Sequence, residues 1–194
     1  MKNIMLMKIN AFITLLGILA VFGFQNSTAQ SFEPKWIGSA CALICEEDTT
    51  SVPLEVANIQ IKTSNSAGRL LVGIGNTRQK VVIKGGQSPV QLASGQPVTL
   101  IVRCKDNQQD PRTFIQVVKF EEKKKERKTE LANINWLGNV TEGDIKYVPY
   151  EADMYGKSSY ILTFPPEDGE YGVRILNPDE KDEKAPVFMC FGVH

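Results

Sequence analysis

Residues 98–132 read VTLIVRCKDNQQDPRTFIQVVKFEEKKKERKTELA. Within Val98–Lys105, Leu100 and Val102 alternate with Ile101 and Arg103, the period of two that places one face of a strand on a core. Phe114, Gln116, Val118 and Phe120 repeat that period after the Asp106–Asp110 turn region. It resumes again at Arg127, Thr129 and Leu131. The charged run between these segments is rich in helix-forming Glu, Lys and Arg. Alternation on both sides of it favours a hairpin with its tip at Glu121–Glu126 over a solvated helix.

The same pattern extends outward in both directions. Towards the amino terminus, strands are expected at Lys35–Ile44, Val52–Lys62, Leu70–Gly73, Lys80–Lys84 and Val90–Leu92. Towards the carboxy terminus they are expected at Asn135–Leu137, Ile145–Val148, Ser159–Phe164, Gly169–Leu176 and Val187–Val193, with a short helical turn at Tyr150–Tyr155. Gly, Pro, Asn and Asp punctuate them, as at Lys84-Gly85-Gly86 and Pro165-Pro166-Glu167-Asp168-Gly169. Many short strands at such spacing predict an all-β sandwich or barrel. If Val187, Met189 and Phe191 point inward, the last strand belongs to the core.

Residues Ala11–Phe24 carry no charge, follow Lys2 and Lys8, and lead into Gln25-Asn26-Ser27-Thr28-Ala29-Gln30. The segment has the length of a secretion-signal core, and a cut after Ala29 places small residues where signal peptidase needs them. The first cysteine is Cys41, too far on for a lipid anchor. The expected mature chain, residues 30–194, is one β-rich domain or two closely packed β subdomains, in the periplasm or extracellular space. The signal removes two of the 22 basic residues and none of the 22 acidic ones, leaving a net charge of −2. Such a chain has no long-range attraction for nucleic acid, and no later segment is long enough to span a bilayer. The basic run Lys123–Lys128 is itself interleaved with Glu121, Glu122, Glu126 and Glu130.

Four stretches together carry a resemblance: VQLASGQPVTLIVRCKDNQQDPRTFIQVVKF, YVPYEADMYGKSSYILTF, DGEYGVRIL and FMCFGV. Over roughly residues 35–193 the chain resembles a functionally uncharacterised group of secreted β-rich proteins from gut-type Gram-negative bacteria. The ending, Gly169-Glu170-Tyr171-Gly172 followed by the Cys190-Phe191-Gly192 strand, implies an immunoglobulin-like β-sandwich or a related two-sheet architecture with long loops. The resemblance carries no catalytic residue across.

Enzyme chemistry finds little foothold. The only histidine is His194, expected to fray at the chain end, so a histidine-based nucleophile system lacks its base. Gly156-Lys157-Ser158 has Glu151 where a phosphate loop needs its first glycine, and Gly73-Ile74-Gly75 meets Arg78 in place of a third. No cofactor and no metal site is expected; Asp106–Asp110 lacks the glycine and bidentate glutamate of an EF-hand loop. Cys41 and Cys45, if extended, lie beyond disulfide reach of each other and share a face with Ile37 and Leu43. Cys104 and Cys190 are the candidate disulfide if their strands are neighbours. Trp36, Trp136, Tyr150 and Tyr155, with Tyr147 beside them, are candidates for a sugar-stacking platform, against the alternative that they fill the core. Asp48-Thr49-Thr50 resembles a short O-glycosylation signal. The expectation is a non-catalytic binding or structural module contacting protein or glycan. The alternatives are a carboxylate-dependent glycan-active enzyme and a subunit of a cell-envelope assembly that pairs edge strands.

Overall fold

The strands are β1 (Ala40–Cys45), β2 (Thr49–Pro53), β3 (Glu55–Val56), β4 (Ile59–Ser64), β5 (Thr77–Lys84), β6 (Gln91–Leu92), β7 (Val98–Arg103) and β8 (Ile115–Lys119). They continue as β9 (Glu121–Lys123), β10 (Glu126–Ile134), β11 (Val140–Glu142), β12 (Lys146–Tyr147), β13 (Glu151–Tyr155), β14 (Ser159–Phe164), β15 (Gly169–Ile175) and β16 (Met189–Val193). A 3₁₀ turn at Pro111–Thr113 precedes β8. The computed structural model describes residues 31–64, 77–134, 140–176 and 187–194. Expected strands Leu70–Gly73 and Asn135–Leu137, and the amino-terminal segment to residue 30, lie outside them.

These strands form three sheets. The first has the order β13-β14-β7-β1-β2, the middle one β12-β8-β15-β16-β3, and the third β11-β10-β5-β4, with β9 also on β10. All pairings are antiparallel except that of β6 with β16. The middle sheet packs on both faces. Ile115, Val117, Tyr171, Val173, Met189, Phe191 and Val193 meet Leu100, Val102, Tyr160, Leu162 and Phe164 of the first sheet. Val118, Phe120 and Cys190, with Phe188 just before β16, meet Val81 and Ile83 of the third. All five residues of β16 are therefore buried, and its sequence reads as a continuous apolar run instead of alternating. The chain is all-β and sandwich-like, with a third sheet added to the expected two.

Aromatic rings set the spacing in each core. Tyr171 and Phe191 stack at 5.4 Å, with Phe164 tilted against both. In the second core Phe120 and Phe188 meet edge to face at 5.4 Å. Gly172 admits that pair: a Cβ there would sit 2.7 Å from the Phe120 ring.

Three expectations are corrected. Val52–Lys62 is not one strand but parts of β2, β3 and β4, which belong to three different sheets. The crossings fall at buried Leu54 and Ala57, whose N–H groups donate to Ala40 and Phe188 carbonyls. Tyr150–Tyr155 contains strand β13 and no helical turn, because pairing with β14 across Gly156–Ser158 outweighs local preference. The first strand starts at Ala40, not Lys35, since Ser39 donates back to the Trp36 carbonyl in a turn. The charged tip does form a hairpin, with β9 paired to β10.

Candidate functional site

The largest fully buried side chain is Arg127. The alternation that puts Thr129 inward also drives Arg127 into the gap between the third and middle sheets. Its Nη1 donates to Glu55 Oε2 at 3.0 Å and to Glu170 Oε2 at 3.3 Å, and its Nε to the Gly85 carbonyl at 3.3 Å. Glu170 is completely buried. It also accepts from Ser88 N–H (2.8 Å) and from Gln91 Nε2 (3.2 Å), while His194 Nε2 lies 3.4 Å from Oε1. Gly192 leaves room for this cluster: a Cβ there would stand 2.4 Å from both Gln91 and Glu170. His194 is thus held in place and not frayed, with backbone hydrogen bonds to Leu92 and Ser94 as well. Each charge has partners, which is the condition for tolerating such groups away from water. The cluster ties β3, β10, β15 and β16 together, and its carboxylates are committed to that work.

A different surface has the shape of a binding site. From the end of β12 the ridge Tyr147-Val148-Pro149-Tyr150 lines one open cleft along its whole length, and its Pro149 and Tyr150 also line a second. One, about 430 Å³, is lined by Arg112, Ile115, Gln116, Val117 and the ridge itself. The other, about 360 Å³, is lined by Pro97, Tyr150, Glu151, Thr163, Phe164 and Pro165. Both tyrosines are anchored through their hydroxyls: Tyr150 donates to the Ile115 carbonyl at 2.7 Å, and Tyr147 to the Glu142 carboxylate. Burial, then the neighbouring carboxylates Asp110 and Glu142 respectively, pushes each phenol up to about 12. Both phenols therefore stay neutral, and each ring is tethered at its hydroxyl. Arg112 stands exposed at the rim, held by Asp110, whose Oδ1 accepts from its backbone N–H at 3.0 Å and whose Oδ2 accepts from its guanidinium at 2.8 Å. Asp106 Oδ1 likewise accepts from Gln108 N–H, so both carboxylates of the Asp106–Asp110 region cap local turns.

Neither Trp36 nor Tyr155 lines these clefts. Trp36 is 68% exposed, ahead of β1, with the Lys35 ammonium 5.0 Å from its ring centroid. The Tyr155 hydroxyl accepts from Phe32 N–H at 3.0 Å, where the amino-terminal stretch meets the first sheet. Trp136 lies outside the described residues. Among the described residues, Tyr150 lines both clefts and Tyr147, three residues earlier, lines one of them.

The condition for the candidate Cys104–Cys190 disulfide, neighbouring strands, is not met: β7 and β16 belong to different sheets. All four cysteines are free thiols. Cys104 belongs to the core between the first and middle sheets and Cys190 to the core on the opposite face of the middle sheet. Burial raises the Cys104 thiol to about 11 and Cys190 to about 12. Cys41 is buried and Cys45 exposed, so the four should separate by reactivity. With a thiol reagent near pH 8, one equivalent, at Cys45, should react in the folded protein and four after denaturation. Two fast-reacting thiols in the native state would contradict this packing.

A smaller cleft of about 180 Å³ brings Glu121, Glu130 and Asp144 together with Lys80, Lys119, Lys128 and Lys146. Glu121 pairs with Lys128 at 3.0 Å and Glu130 with Lys80 at 3.6 Å. The Lys128 partner holds Glu121 below the usual carboxylate range, the reverse of what a general acid needs. Among the described residues no group of three His, Cys, Asp or Glu side chains could hold a metal ion, and no helix is long and apolar enough to cross a membrane.

Fold and surface together define a three-sheet all-β protein with an anchored-tyrosine ridge. Comparison with family models, with curated proteins and with solved structures gives no match.

Proposed function

We propose that this protein is an exported, non-catalytic binding module that takes a glycan chain along the Tyr147–Tyr150 ridge. The observation that carries the reading is a pair of hydroxyl-anchored rings in one cleft, of which Tyr150 also lines the second. A pyranose presents an apolar C–H face that packs on an aromatic plane, and a ring already fixed costs little entropy to use. Gln116, Arg112, Glu151 and Thr163 supply hydrogen-bonding groups at the margins. The clefts fall within the few hundred cubic ångströms typical of ligand sites. Export is supported by the amino-terminal segment, and the non-catalytic role by carboxylates engaged in ion pairs and turn caps.

A glycan array followed by titration calorimetry tests this. Tyr147→Ala is expected to weaken binding by about ten-fold or more, as loss of an aromatic anchor does. Thermal unfolding should move little, because Tyr147 is 43% exposed. Absence of any glycan ligand, or affinity indifferent to Tyr147, would remove the proposal.

A further inference from the structure

Two of the exposed large apolar side chains, Ile61 (47%) and Met154 (66%), lie on strands that end their sheets among the described residues. β4 closes one side of the third sheet and β13 one side of the first. Natural edge strands are commonly protected by proline, bulges or shortness. β2 carries Pro53 and β11 has three residues, whereas β4 and β13 are six and five residues long and free of proline.

The backbone directions of these two edges follow from their neighbours. Gly85 N–H donates to the Lys125 carbonyl, on the β10 side, so the planar peptide turns the Lys84 carbonyl towards β4, and Val82 and Lys80 with it. Their partners Gln60 and Lys62 face β5, which leaves Ile59, Ile61 and Thr63 presenting N–H and C=O to the open side. On the other strand, Cys104 N–H donates to the Ser158 carbonyl towards β7, which turns Ser159 and Ile161 towards β13. Their partners Tyr155 and Asp153 face inward, and Ala152 and Met154 face out. Accordingly, Met154 N–H is taken by the Asp153 carboxylate at 2.7 Å instead of by a strand.

We infer that β4 of one copy of this chain adds antiparallel to β13 of a second copy, with Ile61 opposite Met154. In that register both residues direct their hydrogen-bonding groups at each other, and so do Thr63 and Ala152, giving about four backbone hydrogen bonds. The side chains agree with the backbone. Ile61 covers Met154 on one face. On the other, Lys62 falls directly opposite Asp153 and diagonal to Glu151, within reach of both carboxylates. Lys62 compensates the Asp153 carboxylate as Met154 N–H leaves it for the new strand. Its present contact, Glu126 at 3.4 Å, is largely exposed and weakly held. Self-pairing of β13 would instead set Asp153 against its own copy. Because β4 and β13 are different surfaces, the contact is heterologous and propagates head to tail. This interface uses sheet edges and is independent of the tyrosine ridge.

Sedimentation velocity over a concentration series of the purified protein tests it. The expected result is a weight-average mass that climbs past the dimer with concentration. Asp153→Lys or Lys62→Glu alone should weaken association by about ten-fold or more, since each sets like charges against each other. Asp153→Lys combined with Lys62→Glu should restore it. Circular dichroism should be unchanged in all three, because both side chains are exposed. A monomer at every concentration, a dimer that grows no further, or a charge swap that fails to restore association would each overturn the proposal.

Discussion

Arg127→Ala is expected to lower unfolding free energy by about 3–5 kcal/mol, the range for breaking a buried ion pair from one side. The loss is large because Glu170 cannot reach water: it is fully buried, and removal of the guanidinium leaves its charge with the Ser88 N–H, the Gln91 amide and the His194 ring alone. Glu55 is 23% exposed at its side chain and can relax outward, so the burden falls on Glu170. The double variant Arg127→Met with Glu170→Gln keeps an acceptor for Ser88 N–H and removes the charge. It should recover much of the loss, as apolar or neutral replacement of such pairs often does. Urea unfolding of the three proteins decides the matter. A loss below about 1 kcal/mol for Arg127→Ala would mean that the cluster is solvated in ways its geometry does not suggest.

Phe191→Ala should cost a similar amount, about 3–5 kcal/mol, through lost burial and the cavity left behind. Phe191 is wholly buried, stacks on Tyr171 and touches the Phe164 ring, so no single neighbour can fill the space. Val187→Ala is the natural control. That residue is 56% exposed just ahead of the same strand, and its replacement should stay within about 0.5 kcal/mol. Equal effects from the two substitutions would show that the carboxy-terminal strand is not packed as described.

Alternating strands were legible in the sequence, although on β7 the face opposite Leu100 and Val102 is closed as well, with Ile101 fully buried. β7 and β14 stand close to where alternation placed them, and the Glu121–Glu126 hairpin was readable because period two ran in and out of it. What alternation cannot show is a sheet covered on both sides. β16 offers Met189-Cys190-Phe191-Gly192-Val193, an unbroken apolar run that signals double burial by composition and not by period. Arg127 gave a signal as well, since it stood in phase with inward-facing Thr129; its partners Glu55 and Glu170, 72 and 43 residues away, gave none. His194 was discounted for its position, which says nothing about a contact formed through β16. Of the aromatic candidates, Tyr150 lines two clefts, a position that linear sequence gives no means to read. Trp36 was expected at the start of a strand, and a local turn at Ser39 puts it outside instead.

The middle sheet also fixes a timetable. β16 lies between β15 and the early strand β3, and it contributes side chains to both cores. Neither core can close before residues 189–193 are available, so a growing chain has hairpins but no completed interior until they emerge. Folding must therefore wait for β16 to emerge. Until then the apolar faces of both cores stay open to solvent together, the condition in which a partly folded chain is most prone to aggregate.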